Sequence, residues 1–191
     1  FADRHKSKFL AVLDYHESQS GTPRWGGHRA DLTLQKSREW VLWNEKSGKQ
    51  MDQATFAQFI EDNQPDIVNP SPASMLEMAR DLSASSQMEF ASQQRVSDGS
   101  TVFKFTEQVR ANVGGREEAK VVDAFTIGIP VYFGSRPQEL TARLRFRVHG
   151  GKLTFWYDLL RADVMEQDGF QLISGTIAEK LSMTIINGSP A

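Results

Sequence analysis

The alternation of apolar and polar residues is cleanest late in the chain. Leu140, Ala142, Leu144, Phe146 and Val148 fall on one side of an extended strand, and Thr141, Arg143, Arg145 and Arg147 on the other. Gly150-Gly151 follows, a dipeptide that can take positive φ at both positions of a tight hairpin turn. Such a turn fixes the register of the returning strand over residues 152–160. On the apolar side Phe146 should face Phe155, Leu144 should face Tyr157, and Ala142 should face Leu159. On the polar side Arg147 should meet Thr154, Arg145 should meet Trp156, and Arg143 should meet Asp158. The hairpin thus predicts three arginines in a row beside a tryptophan.

Earlier segments carry shorter patterns. Residues 8–15 and 28–34 read as strands and 39–43 as a further aromatic strand, together a small antiparallel sheet. Asp52 is placed to cap a helix bearing Phe56, Phe59 and Ile60, which Glu61-Asp62-Asn63 and Pro65 bring to an end. A Pro-rich connector over 65–72 leads to a second helix, with Met75, Met78, Ala79 and Leu82 on its apolar face. Residues 87–96 and 101–109 read as a hairpin around Ser97-Asp98-Gly99-Ser100, with a bulge because their faces do not align across a two-residue turn. A loop over 111–119 precedes a buried strand over 120–129 that Pro130 stops.

After Arg161 a helix carries Ile173, Ile177 and Leu181, with Gly169 and Gly175 weakening its start and continuity, and 183–186 reads as a last short strand. The predicted class is α+β, an antiparallel β-meander of about five strands with packed helices and a small N-terminal β-sheet. Residues 1–191 are expected to form a single α+β domain, with the connector as the place where 1–65 would part from 72–191.

Composition narrows the chemistry. At 39% hydrophobic residues over 191 positions, the chain can bury a core of its own. The formal net charge of -2 gives no bulk attraction to polyanions, so any such affinity must come from a local patch. The absence of cysteine removes disulfides, thiolate catalysis and cysteine-ligated metals. It also fits a cytoplasmic protein. No apolar run approaches the roughly 20 residues that span a bilayer, and no signal peptide is visible. The chain starts at Phe1 rather than Met, so an N-terminal piece is expected beyond it.

The arginine ladder leads the candidate sites. Guanidinium groups hold phosphates bidentately, and Trp156 can stack on a base or on Arg145. Lys104 and Arg110 would extend the patch if their strand lay nearby. The plainer reading is a solvated sheet face relieved by Asp158 and Glu107, and a third is a subunit interface anchored by Arg and Trp. Asp14, His16, His28 and Asp31 include metal-ligand types, but their spacing fits no metal motif and strand-end polar residues explain them. Gly26-Gly27, Gly114-Gly115 and Gly150-Gly151 lack the phosphate-loop and dinucleotide patterns and read as turns. No Gly-x-Ser-x-Gly occurs, and the paired carboxylates Glu61-Asp62 and Glu117-Glu118 sit where solvated charge is ordinary. Trp25, Trp40 and Trp43 read as packing aromatics. No cofactor, metal or enzymatic activity is expected.

Several segments together have a familiar order: Ala11-Val12-Leu13-Asp14-Tyr15-His16, then 25–34 and Glu39-Trp40, then 53–63, Ser97-Asp98-Gly99 and the 142–157 hairpin. In these the chain resembles the YfdQ-like family of phage and prophage proteins, a family of unknown function. The resemblance implies a mobile-element origin, a bacterial cytoplasmic setting and genes lying among early functions near recombination. It supplies no active-site residues. The expected role is a non-enzymatic protein that forms a homo-oligomeric assembly through sheet faces and the arginine hairpin. The alternatives are a single-stranded nucleic-acid-binding accessory protein using Arg143, Arg145, Arg147 and Trp156, and a host-protein-binding regulatory or anti-defence protein. No membrane partner is expected.

Overall fold

The computed structural model describes residues 1–15, 26–84, 90–95, 101–105, 118–149 and 152–190. Its centre is a five-stranded antiparallel sheet in the order β4-β11-β10-β9-β5. Here β4 is Met51–Asp52, β5 Ile67–Asn69, β9 Ala124–Ile129, β10 Gln138–His149 and β11 Lys152–Leu159. A three-stranded N-terminal sheet runs β1 (Ala2–Asp3), β2 (Lys8–Val12), β3 (Arg29–Thr33), and a second three-stranded sheet runs β6 (Phe90–Arg95), β7 (Thr101–Phe105), β8 (Glu118–Val121). Helices α1 (Arg38–Lys46), α2 (Gln53–Asp62), α3 (Pro72–Ala84) and α4 (Ala162–Leu181) complete the α+β arrangement, with its small N-terminal sheet and five-stranded sheet.

The inner face of the central sheet is Phe125, Ile127 and Ile129 on β9, Leu140, Ala142 and Leu144 on β10, and Leu153, Phe155 and Tyr157 on β11, all buried. Period-two alternation puts these residues on one side, and helical faces of matching character cover them. Phe56 of α2 stacks on Phe155 at 4.9 Å between ring centroids, and Phe59 stacks on Tyr157 at 5.9 Å. Trp43 of α1 meets Phe59, Phe125 and Tyr157 with centroids 4.8, 5.9 and 5.3 Å away. Its indole Nε1 donates to Asp66 at 2.7 Å, and the Tyr157 hydroxyl donates to its backbone carbonyl at 2.8 Å. Burial holds the Tyr157 phenol protonated far above its usual range.

Helix α2 forms as expected, because the Asp52 carboxylate accepts the Thr55 N–H at 2.8 Å and satisfies a donor that the first turn leaves free. That bond lowers the Asp52 pKa. Helix α4 is continuous through both glycines. At Gly169 a Cβ would sit 3.3 Å from Val131, so this glycine serves close packing between the helix and the segment after β9. Phe170, next along, stacks on Phe9 at 4.8 Å and ties the N-terminal sheet to α4.

Four expectations need correcting. Residues 39–43 are not a strand but lie in α1, because the Ser37 hydroxyl accepts the Trp40 N–H at 2.9 Å and Trp40 and Trp43, three apart, both turn inward. The strand expected over 120–129 divides at Val122-Asp123 into β8 and β9, which belong to different sheets. The hairpin expected over 87–109 lies in the β6-β7-β8 sheet rather than the central one, with a register shift between Phe90 and Ser92. Its turn lies outside the described residues. Short strands β4 and β5 fill the two edge places of the central sheet instead. Finally, 183–186 makes no strand; a single bridge joins Ala2 to Asn187.

Two outcomes follow from the Trp43 cluster. Tyr157→Phe keeps the ring and removes one hydrogen bond to a carbonyl that the Ser47 N–H also reaches at 3.1 Å. It should cost about 0.5–1.5 kcal/mol in urea unfolding with the m-value unchanged. Asp66 has its pKa raised above the usual 3.8, first by burial, against the Trp43 hydrogen bond and with Glu39 adding repulsion. The folded state therefore holds this proton to higher pH than the unfolded chain. Its contribution to stability is present at low pH and is lost as pH rises through the raised value. Asp66→Asn keeps an acceptor for the indole, so its stability relative to wild type should increase as pH rises from 4 to 7. A constant difference across that range would contradict the assignment.

Candidate functional site

The outer face of the central sheet carries the arginine ladder. Strands β10 and β11 pair in the register that alternation and Gly150-Gly151 predict: Arg143 opposite Asp158, Arg145 opposite Trp156, Phe146 opposite Phe155, Arg147 opposite Thr154. Because one face of each strand is packed against the helices, a slip of one residue would carry the guanidinium groups into the core. The ladder is therefore held in place by the packing beneath it. Arg143, Arg145 and Arg147 are exposed, and Trp156 is half-buried beside them.

The pairing of charges differs from the simple opposite-neighbour expectation. Asp158 accepts a hydrogen bond from Arg145 Nε at 2.5 Å, along the diagonal, rather than engaging Arg143 directly opposite. Diagonal neighbours across a ladder lie within reach of long side chains, and the twist of the sheet decides which diagonal closes. Consequently neither Arg143 nor Arg147 has a side-chain hydrogen bond or ion pair among the described residues. The pair itself is exposed, so it contributes little to stability. Around the ladder, β9 brings Ala124 opposite Arg143 and Thr126 opposite Thr141, and β4 brings Asp52 opposite Thr154.

Lys104 lies on β7, opposite Ser92 of β6 and Glu118 of β8, in a sheet not hydrogen-bonded to the central one. Arg110 and Glu107 lie outside the described residues, as do His16 and Trp25 of the other candidate groups. Asp14 works as a turn-holder. Its two carboxylate oxygens accept the backbone N–H groups of His28 at 2.8 Å and Gly27 at 2.9 Å, which lowers its pKa. Asp31 takes Lys8 at 3.1 Å. Among the described residues no three His, Asp or Glu side chains gather closely enough to hold a metal ion. Trp40 and Trp43 are core residues. Among the described residues no helix is long and apolar enough to cross a membrane.

A family model for an uncharacterised conserved protein, DUF2303, matches residues 1–190. The chain belongs to this family. No curated protein and no solved structure matches it. In this DUF2303 member the arginine face is an antiparallel surface with two exposed guanidinium groups, unpartnered among the described residues, on either side of a third that an acid holds in place. Same-face residues along a strand are about 6.8 Å apart, which spreads the positive charge in a line rather than a cluster. A line of guanidinium groups with one aromatic ring suits an extended, negatively charged ligand.

The Arg145–Asp158 pair gives a direct check of how little the face contributes to folding. Asp158→Asn should change unfolding free energy by less than about 1 kcal/mol, as read in urea denaturation. A loss of several kcal/mol would show that the ladder is a structural element rather than a presented surface.

Proposed function

We propose that the protein is a non-enzymatic binding protein of phage or prophage origin that holds single-stranded nucleic acid along the open face of its five-stranded sheet. The observation that carries this reading is the state of Arg143 and Arg147, exposed and without a side-chain partner among the described residues, on either side of the Arg145–Asp158 pair. Guanidinium groups spaced along an extended strand can each take a phosphate of an extended polynucleotide, and Trp156 offers a ring on which a base can stack. The resemblance to phage and prophage proteins encoded near recombination functions supports the same direction. With a net charge of -2, the affinity must arise from a local patch such as this face, and it must be strongly salt-dependent.

A second reading treats the same face as a contact between copies, in a homo-oligomeric assembly. What favours it is the half-buried Trp156 beside Arg145, since Trp and Arg are the residues that most often anchor interfaces. Native mass determination with nuclease, on wild type and on the Trp156→Ala variant, separates the two readings: an assembly lost on Trp156→Ala belongs to this face.

Fluorescence anisotropy with a labelled single-stranded oligonucleotide tests the first reading directly. Binding should appear at low salt and weaken steeply as salt is added. Trp156→Ala should cost about 1–3 kcal/mol of binding free energy. The Arg143→Ala, Arg147→Ala double variant should reduce the slope of log affinity against log salt by roughly 1.4, at about 0.7 per phosphate contact on a single strand. No anisotropy change at low salt would end this reading.

A further inference from the structure

The N-terminal sheet ends on an open strand. Among the described residues, strand β3, Arg29–Thr33, pairs with β2 on one side only, and all five of its residues are exposed. Exposed edges are usually guarded by Pro, Lys, a bulge or an inward-pointing charge, because their free N–H and C=O groups accept another strand. This edge carries neither Pro nor Lys, and its register with β2 is unbroken from Lys8–Thr33 to Val12–Arg29.

Which backbone groups face outward can be worked out. Leu13 N–H donates to the His28 carbonyl at 2.9 Å, and Leu34 N–H donates to the Ser7 carbonyl at 2.8 Å. In an antiparallel ladder hydrogen-bonded positions alternate, so His28, Ala30, Leu32 and Leu34 turn their backbone groups toward β2. Arg29, Asp31 and Thr33 turn theirs to the open side.

An antiparallel copy of the same strand can bond only by placing these three positions against one another. Centred on Asp31, the pairing sets Asp31 against Asp31 of the second copy, which like charge disfavours. A register that sets Asp31 against Thr33 gains no charge attraction. Centred on Ala30, it sets Arg29 against Asp31 of the second copy and Asp31 against Arg29, two opposite-charge pairs related by a two-fold axis. Both side chains have exposed local partners: Arg29 Nε donates to the Gly26 carbonyl at 2.6 Å, and Lys8 sits 3.1 Å from Asp31. Lys8 would then flank the new pair as a second cation beside the same carboxylate.

We infer that β3 is a self-recognition edge, joining two copies of the chain through an antiparallel β3–β3 ladder centred on Ala30, with Arg29 opposite Asp31 at both ends. Two three-stranded sheets become one continuous sheet across the axis. The contact is isologous, so it closes as a dimer and does not propagate. It uses a surface separate from the arginine ladder and stands or falls independently of nucleic-acid binding.

Light scattering and native mass spectrometry of the full chain at tens of micromolar test it. Wild type should be dimeric. Arg29→Asp and Asp31→Arg, each placing two like charges in opposition, should weaken the dimer on the order of tenfold or more while circular dichroism stays unchanged. Asp31→Asn should weaken it in the same direction by less. The double exchange Arg29→Asp, Asp31→Arg should restore the dimer. An equimolar mixture of the two single variants should form a mixed dimer in preference to either homodimer, because every opposed pair is then of opposite sign. A monomeric wild type overturns the inference. So does a dimer indifferent to the single exchanges, which would place self-association on another surface, or a double exchange that fails to recover it.

Discussion

The Trp43 indole is the point on which most of the molecule converges. It is fully buried, its ring meets aromatic rings from α2, β9 and β11, and both its N–H and the backbone carbonyl of the same residue are engaged. One hydrogen bond runs out to Asp66 just before β5, and one comes in from Tyr157 in the middle of β11. Large aromatic surfaces supply non-directional driving force, and the polar handles give them orientation. A helix that would otherwise slide over a flat apolar sheet is thereby fixed in position and rotation. Both ends of the strand order, the β4–β11 edge and the β5 edge, lie next to elements that this residue holds.

The outer face inherits that order. Its guanidinium groups point away from the packed side, so the ladder can carry charge in a line that the core would not tolerate. Its register comes from beneath, and its charge pattern from a local contest in which Arg145 takes the acid and its neighbours do not. The open β3 edge is a separate resource, built on the sheet that α4 attaches through Phe9 and Phe170. One surface presents side chains and the other presents backbone.

What the sequence discloses depends on how much period each segment has room to show. The hairpin register is legible because nine residues of unbroken alternation meet a turn dipeptide of defined length. Helix α2 is legible because Asp52 and the Phe56, Phe59, Ile60 spacing agree. Helix α1 is not, since Trp40-Val41-Leu42-Trp43 satisfies either period and the deciding bond comes from Ser37. Strands β4 and β5, of two and three residues, are too short to have a period at all. The break between β8 and β9 falls at Val122-Asp123, where no Gly or Pro marks it. At the ladder, positions opposite one another follow from register, but the diagonal bond from Arg145 to Asp158 depends on twist and rotamer. That β3 has one neighbour among the described strands depends on the topology, and no local pattern encodes that.

Asp52 closes β4 and caps α2 in the same residue, so strand and helix are joined with no linker between them. Its backbone is fixed opposite Thr154, and its side chain fixes the first turn of the helix. Each residue of helix turns the chain by about 100°. A single residue added at this junction would swing Phe56 away from Phe155 while leaving the strand pairing untouched. The two periodicities of the protein, two for strands and 3.6 for helices, are thus kept in phase at one carboxylate. Length at this junction is constrained more tightly than the identity of most residues around it, and the helical layer beneath the arginine face is aligned to its strands from there.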